Sequence, residues 1–149
     1  ANASSISDGA GALILASESA VNEYGLKPMA KIVAHSRASR DPAEFTLAPV
    51  DAISSLMEKT GWSTSDVDLW EINEAFAMVT MLAMQAHGLD PDKVNVHGGA
   101  CAQGPPIGST GSRIIITLMH AMHHYGKDKG VAALCIGGGE ATAVAIEKC

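Results

Sequence analysis

Four sets of residues have the types and spacing to do chemistry. Cys135 ends an apolar run and is followed by Gly137, Gly138 and Gly139. A thiol facing glycine N–H groups can exchange protons with a substrate; otherwise it is a buried structural cysteine. Asn73 and Glu74 follow the apolar stretch 67–72 and precede a helical run. A carboxamide there can hold a water or donate to a carbonyl oxygen; the plainer reading is a helix cap. The stretch from Gly98 to Gly111 is rich in glycine and leads into a helix. N–H groups at such a start can hold an oxyanion or a phosphate. The Walker spacing is missing, because no Gly-Lys-Ser/Thr occurs. The alternative is a tight connection stiffened by Pro106. His120, His123 and His124 share one side of a helix, a spacing that suits zinc or nickel. No carboxylate or cysteine completes that set nearby, so exposed polar histidines and no metal are expected. Cys101, Trp70 and the methionines of 78–84 read as core, and Cys149 as a chain end.

These groups need elements to position them. Gly9 to Ala16 is a small, apolar run that suits a strand buried on both faces. Ser17 to Tyr24 reads as a helix, capped by Ser17 and stopped by Gly25. Further strands are expected at 30–35, 67–72, 94–96, 131–136 and 141–147. Further helices are expected at 49–59, 76–87 and 112–125, each closed by a glycine. The helix at 76–87 is apolar nearly all round, which predicts burial. The alternation predicts an α/β layered fold, a largely parallel sheet with helices on both faces. In such folds ligands sit beyond the carboxyl ends of strands, where all but the histidine set falls.

Composition narrows the classes. A chain of 149 residues is about one domain and can bury a real core. With 47% apolar and 17% charged residues it is not a disordered tail. No apolar run approaches the ~20 residues of a membrane span. A net charge of -6 argues against general phosphate-backbone binding, so no nucleic acid or membrane partner is expected. Three cysteines without Cys-x-x-Cys indicate a reducing compartment, the cytoplasm first, with a mitochondrial matrix also fitting. The opening at Ala1, with no charged and apolar leader, reads as a cut chain.

Taken in order, four motifs resemble the C-terminal half of a thiolase. They are Asn73-Glu74-Ala75-Phe76-Ala77, Asn95-Val96-His97-Gly98-Gly99-Ala100, the run from Gly104 to Arg113, and Cys135-Ile136-Gly137-Gly138-Gly139. The opening from Asn2 to Ala10 resembles the start of that half, so the likeness covers essentially the whole chain. The Asn-Glu-Ala-Phe-Ala form points to the acetyl-CoA acetyltransferase branch. The resemblance implies reversible Claisen condensation of two acetyl-CoA into acetoacetyl-CoA and CoA. It implies two similar βαβαβαββ halves, with residues 1–149 as the C-terminal domain and the nucleophile-bearing N-terminal domain absent. No resident cofactor is implied, since the coenzyme A thioester is the substrate. Cys135 corresponds to the acid/base cysteine, its thiolate favoured by surrounding N–H groups. Asn73 corresponds to the residue that holds a water in one oxyanion hole. The N–H of Gly137 corresponds to part of the second. Ser4 matches a contact to the pantetheine arm of CoA, and Ala75 and Phe76 match the lining of the substrate tunnel. Partners implied are acyl-CoA, the N-terminal half and further copies in a homo-oligomer.

Two departures stand out. The family's nucleophilic cysteine belongs to the N-terminal half, and none of Cys101, Cys135 and Cys149 occupies its place. The family reads Gly-His-Pro-Ile-Gly where this sequence has Gly104-Pro105-Pro106-Ile107-Gly108. That histidine activates the nucleophile and donates to an oxyanion, and proline can do neither. The loss is worth ~10²–10⁴-fold or more. The expectation is the C-terminal domain of an acetyltransferase, inactive alone. The alternative is a non-catalytic thiolase-like module that binds acyl-CoA or a partner subunit.

Overall fold

The architecture is that of a computed structural model, which describes residues 2–149. Four strands form one sheet: β1 (Ala30–Ser39), β2 (Leu69–Ile72), β3 (Lys129–Ile136) and β4 (Glu140–Lys148). Their spatial order is β1-β4-β3-β2. Only β2 and β3 are parallel; the other two pairings are antiparallel. The expected largely parallel sheet is therefore a mixed one. A three-glycine turn joins β3 to β4, and so short a link permits only a hairpin. β1 then takes the free edge of β4. β2 is separated from β3 by helices, and that long crossover allows parallel pairing.

Helices cover both faces, as expected. α2 (Ala48–Thr60) buries Ala48, Ala52, Ile53 and Leu56 against β1 and β4. α5 (Thr110–Tyr125) buries Ile114, Leu118, Ala121 and Met122 against β2 and β3. Each large side chain so buried contributes about 1.5–3 kcal/mol. Small residues in the sheet make room for them. Ala132, Ala133, Ala141, Ala143 and Ala145 are all buried. Gly130 goes further, because a Cβ there would stand 2.6 Å from the sulfur of Met122. Strand alternation sorts β2 between the two faces. Trp70 and Ile72 join the α2 side, and Leu69 joins the α5 side.

The shorter helices are α1 (Glu18–Tyr24), α3 (Ala77–His87) and the single turn α4 (Ala100–Gln103). Ser17 caps α1 as expected, its Oγ accepting from Ala20 N–H at 3.2 Å. α3 is only half buried, which corrects the reading of it as enclosed. Val79, Thr80 and Ala83 face inward, while Met78 and Met81 are exposed. No helix among the described residues is long and apolar enough to cross a membrane.

Two expected strands do not form. The segment 9–16 stays irregular, with Ile14 95% and Leu15 77% exposed. It runs beside α5, close to Ser109, Ser112 and Ile116, and pairs with none of the four strands. The stretch 94–96 contributes one bridge, from Val94 to Trp70. Asn95 then adopts φ 49° and turns the chain away from the sheet.

The glycine turn is braced from the far edge. Arg40 N–H donates to the Gly139 carbonyl at 2.9 Å. The Arg40 guanidinium is itself held by Asp51, with Nη2 2.8 Å from Oδ1. Gly139 sits at φ 92°, and a Cβ there would collide with the Arg40 carbonyl oxygen. Gly139→Ala is expected to cost about 2–4 kcal/mol. Gly25→Ala, at φ 60° in open space, should cost only about 1 kcal/mol. Urea denaturation of both variants measures the difference; equal losses would refute the steric account.

Candidate active site

The register of the parallel pair brings two of the predicted residues together. Ile72 lies opposite Ala133 in the sheet, and Asn73 N–H donates to the Ala133 carbonyl at 2.9 Å. Asn73 therefore leaves β2 at the level where β3 approaches Cys135. Asn73 is buried and Cys135 half-buried, both at carboxyl ends of strands. Gly137 is exposed just beyond, in the turn to β4. Burial pushes the Cys135 thiol above its ordinary value and outweighs a backbone hydrogen bond that acts the other way. The backbone hydrogen bond favours the thiolate, in the direction expected, but burial outweighs it in this chain.

The N-terminal segment straps across the loop after β2. Ala77 N–H donates to the Asn2 carbonyl at 2.9 Å. Ser4 donates twice to the Ala75 carbonyl, from N–H at 3.3 Å and from Oγ at 3.4 Å. Ser4, Ala75 and Phe76 thus form one surface. Phe76 packs edge-on against Phe45, with ring centroids 6.0 Å apart. The strap continues to Pro105, whose carbonyl accepts from Ser7 N–H at 3.2 Å. Gly104 has φ 77°, and a side chain there would collide with Ser7. Pro105 is buried. An open groove of about 510 Å³ lies between the strap and the turn into α5, lined by Asp8, Gly9, Pro106, Ile107 and Ser109 among others. Asn73, Cys135 and Gly137 do not line it.

Asn95 positions the loop that carries Asn73 and Glu74. Its side-chain amide pairs with the end of β2 as another strand would. Oδ1 accepts from Ile72 N–H at 2.8 Å, and Nδ2 donates to the Ile72 carbonyl at 2.9 Å. Nδ2 also donates to Glu74 Oε1 at 3.2 Å. The other Glu74 oxygen accepts from Cys101 N–H at 2.8 Å, at the start of α4. Gly99 makes this possible, since a Cβ there would overlap the Glu74 carboxylate. Glu74 is thus a structural tie. Cys101, expected in the core, is exposed because the single turn α4 buries only Ala100; its Sγ lies 3.7 Å from the Asn2 carbonyl oxygen.

The sequence reading missed one group. Glu71 is 1% exposed in mid-strand and faces α5. Arg113, in the first turn of α5, approaches it with Nη1 3.5 Å from Oε1. Arg113 Nη2 also donates to Asn73 Oδ1 at 3.3 Å. A carboxylate inside an otherwise apolar strand is the signal that could have revealed the group. Burial pushes Glu71 up to about 7, with Arg113 pulling it down and Glu74 pushing it further up. The histidines do not converge as a metal set. His123 contacts the Met29 carbonyl at 2.9 Å, while His124 packs against Tyr125 and His97.

The Glu71 shift sets a pH dependence. An ordinary glutamate loses its proton near 4.5, whereas folded Glu71 keeps it to about 7. The folded state therefore holds an extra proton across that window, so its stability falls as pH rises from 4.5 to 7. The loss is on the order of 3 kcal/mol. Glu71→Gln should flatten this limb of a stability-against-pH curve. An unchanged slope in the variant would refute the assignment to Glu71.

Comparison with known proteins gives concordant results. The family model for the thiolase C-terminal domain matches residues 26–148. The mouse cytosolic acetyl-CoA acetyltransferase is 46% identical over 148 residues, 99% of this chain and 37% of that protein. The acetyl-CoA acetyltransferase of Bacillus anthracis superposes with a TM-score of 0.96 at 44% identity, covering 99% of this chain and 38% of that one. Human mitochondrial 3-ketoacyl-CoA thiolase, solved in complex with CoA, gives the same values, 0.96 and 44%, over the same shares. The chain thus spans little more than a third of the length of the relatives it matches. A mixed sheet of this order, its helices and these matches together place the chain in the thiolase family, as a C-terminal domain.

Proposed function

We propose that this chain supplies the C-terminal part of an acetyl-CoA acetyltransferase site. The reaction is reversible Claisen condensation of two acetyl-CoA to acetoacetyl-CoA and CoA. The observation that carries this reading is the pairing of β2 with β3, which sets Asn73 and Cys135 at neighbouring strand ends. In condensation Cys135, as its thiolate, takes the α-proton of acetyl-CoA and becomes the thiol. The enolate carbon attacks an acetyl group held as a thioester on a cysteine outside these 149 residues. The tetrahedral intermediate expels that cysteine's sulfur and releases acetoacetyl-CoA. In thiolysis Cys135 returns the proton to the departing carbanion, a step that its raised thiol pKa suits. Asn73 holds a water against the enolate oxygen, and Gly137 N–H donates to the oxyanion of the tetrahedral intermediate. Ser4, Ala75 and Phe76 line the way in for the acyl-CoA arm. Each role rests on the matched motif; the surface that Ser4 forms with Ala75 supports its share.

The reading needs an N-terminal half bearing the nucleophile. Exposed Ile14, Leu15, Met78 and Met81 support contact with such a half and with further copies. The relatives include a human thiolase solved with CoA, which supports acyl-CoA as ligand. Pro105 favours a second reading, a module that binds acyl-CoA without turnover, because proline offers neither proton nor side-chain donor.

One experiment separates them. The 149 residues alone should show no CoA-dependent cleavage of acetoacetyl-CoA. Pro105→His, combined with the N-terminal half of a relative, should gain at least ~100-fold over the same pair with Pro105. CoA binding by calorimetry with no turnover in either pair would establish the second reading instead. Cleavage by the isolated chain would overturn the assignment of the nucleophile elsewhere.

A further inference from the structure

The guanidinium of Arg113 is not arranged as a stabilising ion pair alone. Its side chain is 14% exposed and that of Glu71 2%, so both charges are largely out of water. A pair buried this way contributes little net stability, because desolvation offsets the attraction. The contact at 3.5 Å is also long for a charge-assisted hydrogen bond. Among the described residues, Arg113 Nε, Arg113 Nη1 and Glu71 Oε1 have no hydrogen-bond partner. The hydrogen bond that the guanidinium does make goes to Asn73 Oδ1, at 3.3 Å.

The chemistry of that contact fixes an orientation. A guanidinium carries only donors, so the Asn73 atom facing it must be the carbonyl oxygen. The NH₂ of the carboxamide is then turned away from α5. The two ends of a carboxamide have nearly the same shape, so packing alone does not choose between them. The backbone is already held by the bond from Asn73 N–H to Ala133. What remains to be set is the side-chain flip. An N–H that donates to a water leaves both water hydrogens free and polarises them toward a neighbouring oxyanion. A flipped amide would consume one of those hydrogens.

We propose that Arg113, braced by Glu71, is a positioning residue that holds the Asn73 carboxamide with its carbonyl oxygen toward α5 and its NH₂ turned away from that helix. The catalytic consequence rests on the function proposed above; the orientation itself does not.

Two measurements test it. The first uses the full 149-residue chain at about pH 8, where Glu71 is ionised. Its Asn73 side-chain amide, assigned by loss in Asn73→Ala, should be ordered, with an NMR order parameter of about 0.8. In Arg113→Met it should fall below about 0.6. An equally ordered amide in folded Arg113→Met would overturn the proposal. If Met at 113 does not fold, Glu71→Gln carries the test: it keeps the packing, removes the brace and must still lower the order. The second uses the Pro105→His pair described above. Asn73→Ala should lower kcat for thiolysis ~100-fold and Arg113→Met ~10-fold, with KM within about 2-fold. The double variant should match Asn73→Ala alone, and Arg113→Lys, which keeps a donor, should recover most of the loss. Losses that multiply in the double variant would overturn the proposal. An inactive pair with an ordered, Arg113-dependent amide would refute the proposed function and leave the orientation standing.

Discussion

The parallel pairing of β2 with β3 is the contact on which the rest depends. It joins two segments separated by more than fifty residues of helix and loop, and among the described residues no other two strands pair in parallel. Through it the carboxyl ends of two strands come level, with Asn73 just past one and Cys135 near the end of the other. Neither α2 nor α5 supplies either group; they supply the burial that makes the pairing pay its entropy. Gly130, Ala132 and Ala133 let the helices approach β3 on both faces.

Around this pair the polar groups divide into those that hold and those that face outward. Glu74 is fully engaged, by Asn95 on one oxygen and by Cys101 N–H on the other. It stands next to a residue placed for chemistry and yet serves as a tie. Glu71 and Arg113 are the reverse, buried charges whose hydrogen-bonding capacity is only partly used. A partly satisfied network is expensive inside a protein. Its position directly behind Asn73 makes it more than an accident of packing.

Much of this was legible in the residues. The long helices were readable because a 3.6-residue apolar stripe and a closing glycine mark both faces and ends, as in α2 with Ile53, Leu56 and Gly61. The chemistry-bearing residues were readable only through the likeness of several motifs in order; Asn73 alone is also a plausible helix cap. Three things were not legible. The placing of β1 antiparallel along the outer edge of β4 is a matter of topology, which periodicity does not encode. The strand-like pattern of 9–16 is real, but a strand needs a partner strand, and this segment lies against α5 instead. The Glu71–Arg113 contact spans forty-two positions, and nothing local in the sequence announces it.

The amide of Asn95 has a consequence for the edge of the sheet. β2 is four residues long and outermost, a place where a strand can slide or be displaced. Asn95 occupies both polar groups of Ile72 with a side chain, so that stretch of edge is closed to an invading strand. It also acts as a pawl against slippage. A shift of one residue would exchange the two faces of β2. Trp70 would swing into the α5 layer, Glu71 into the apolar layer under α2, and Asn73 would point to the wrong side of the sheet. A single carboxamide at a left-handed bend thus guards the handedness of the whole site.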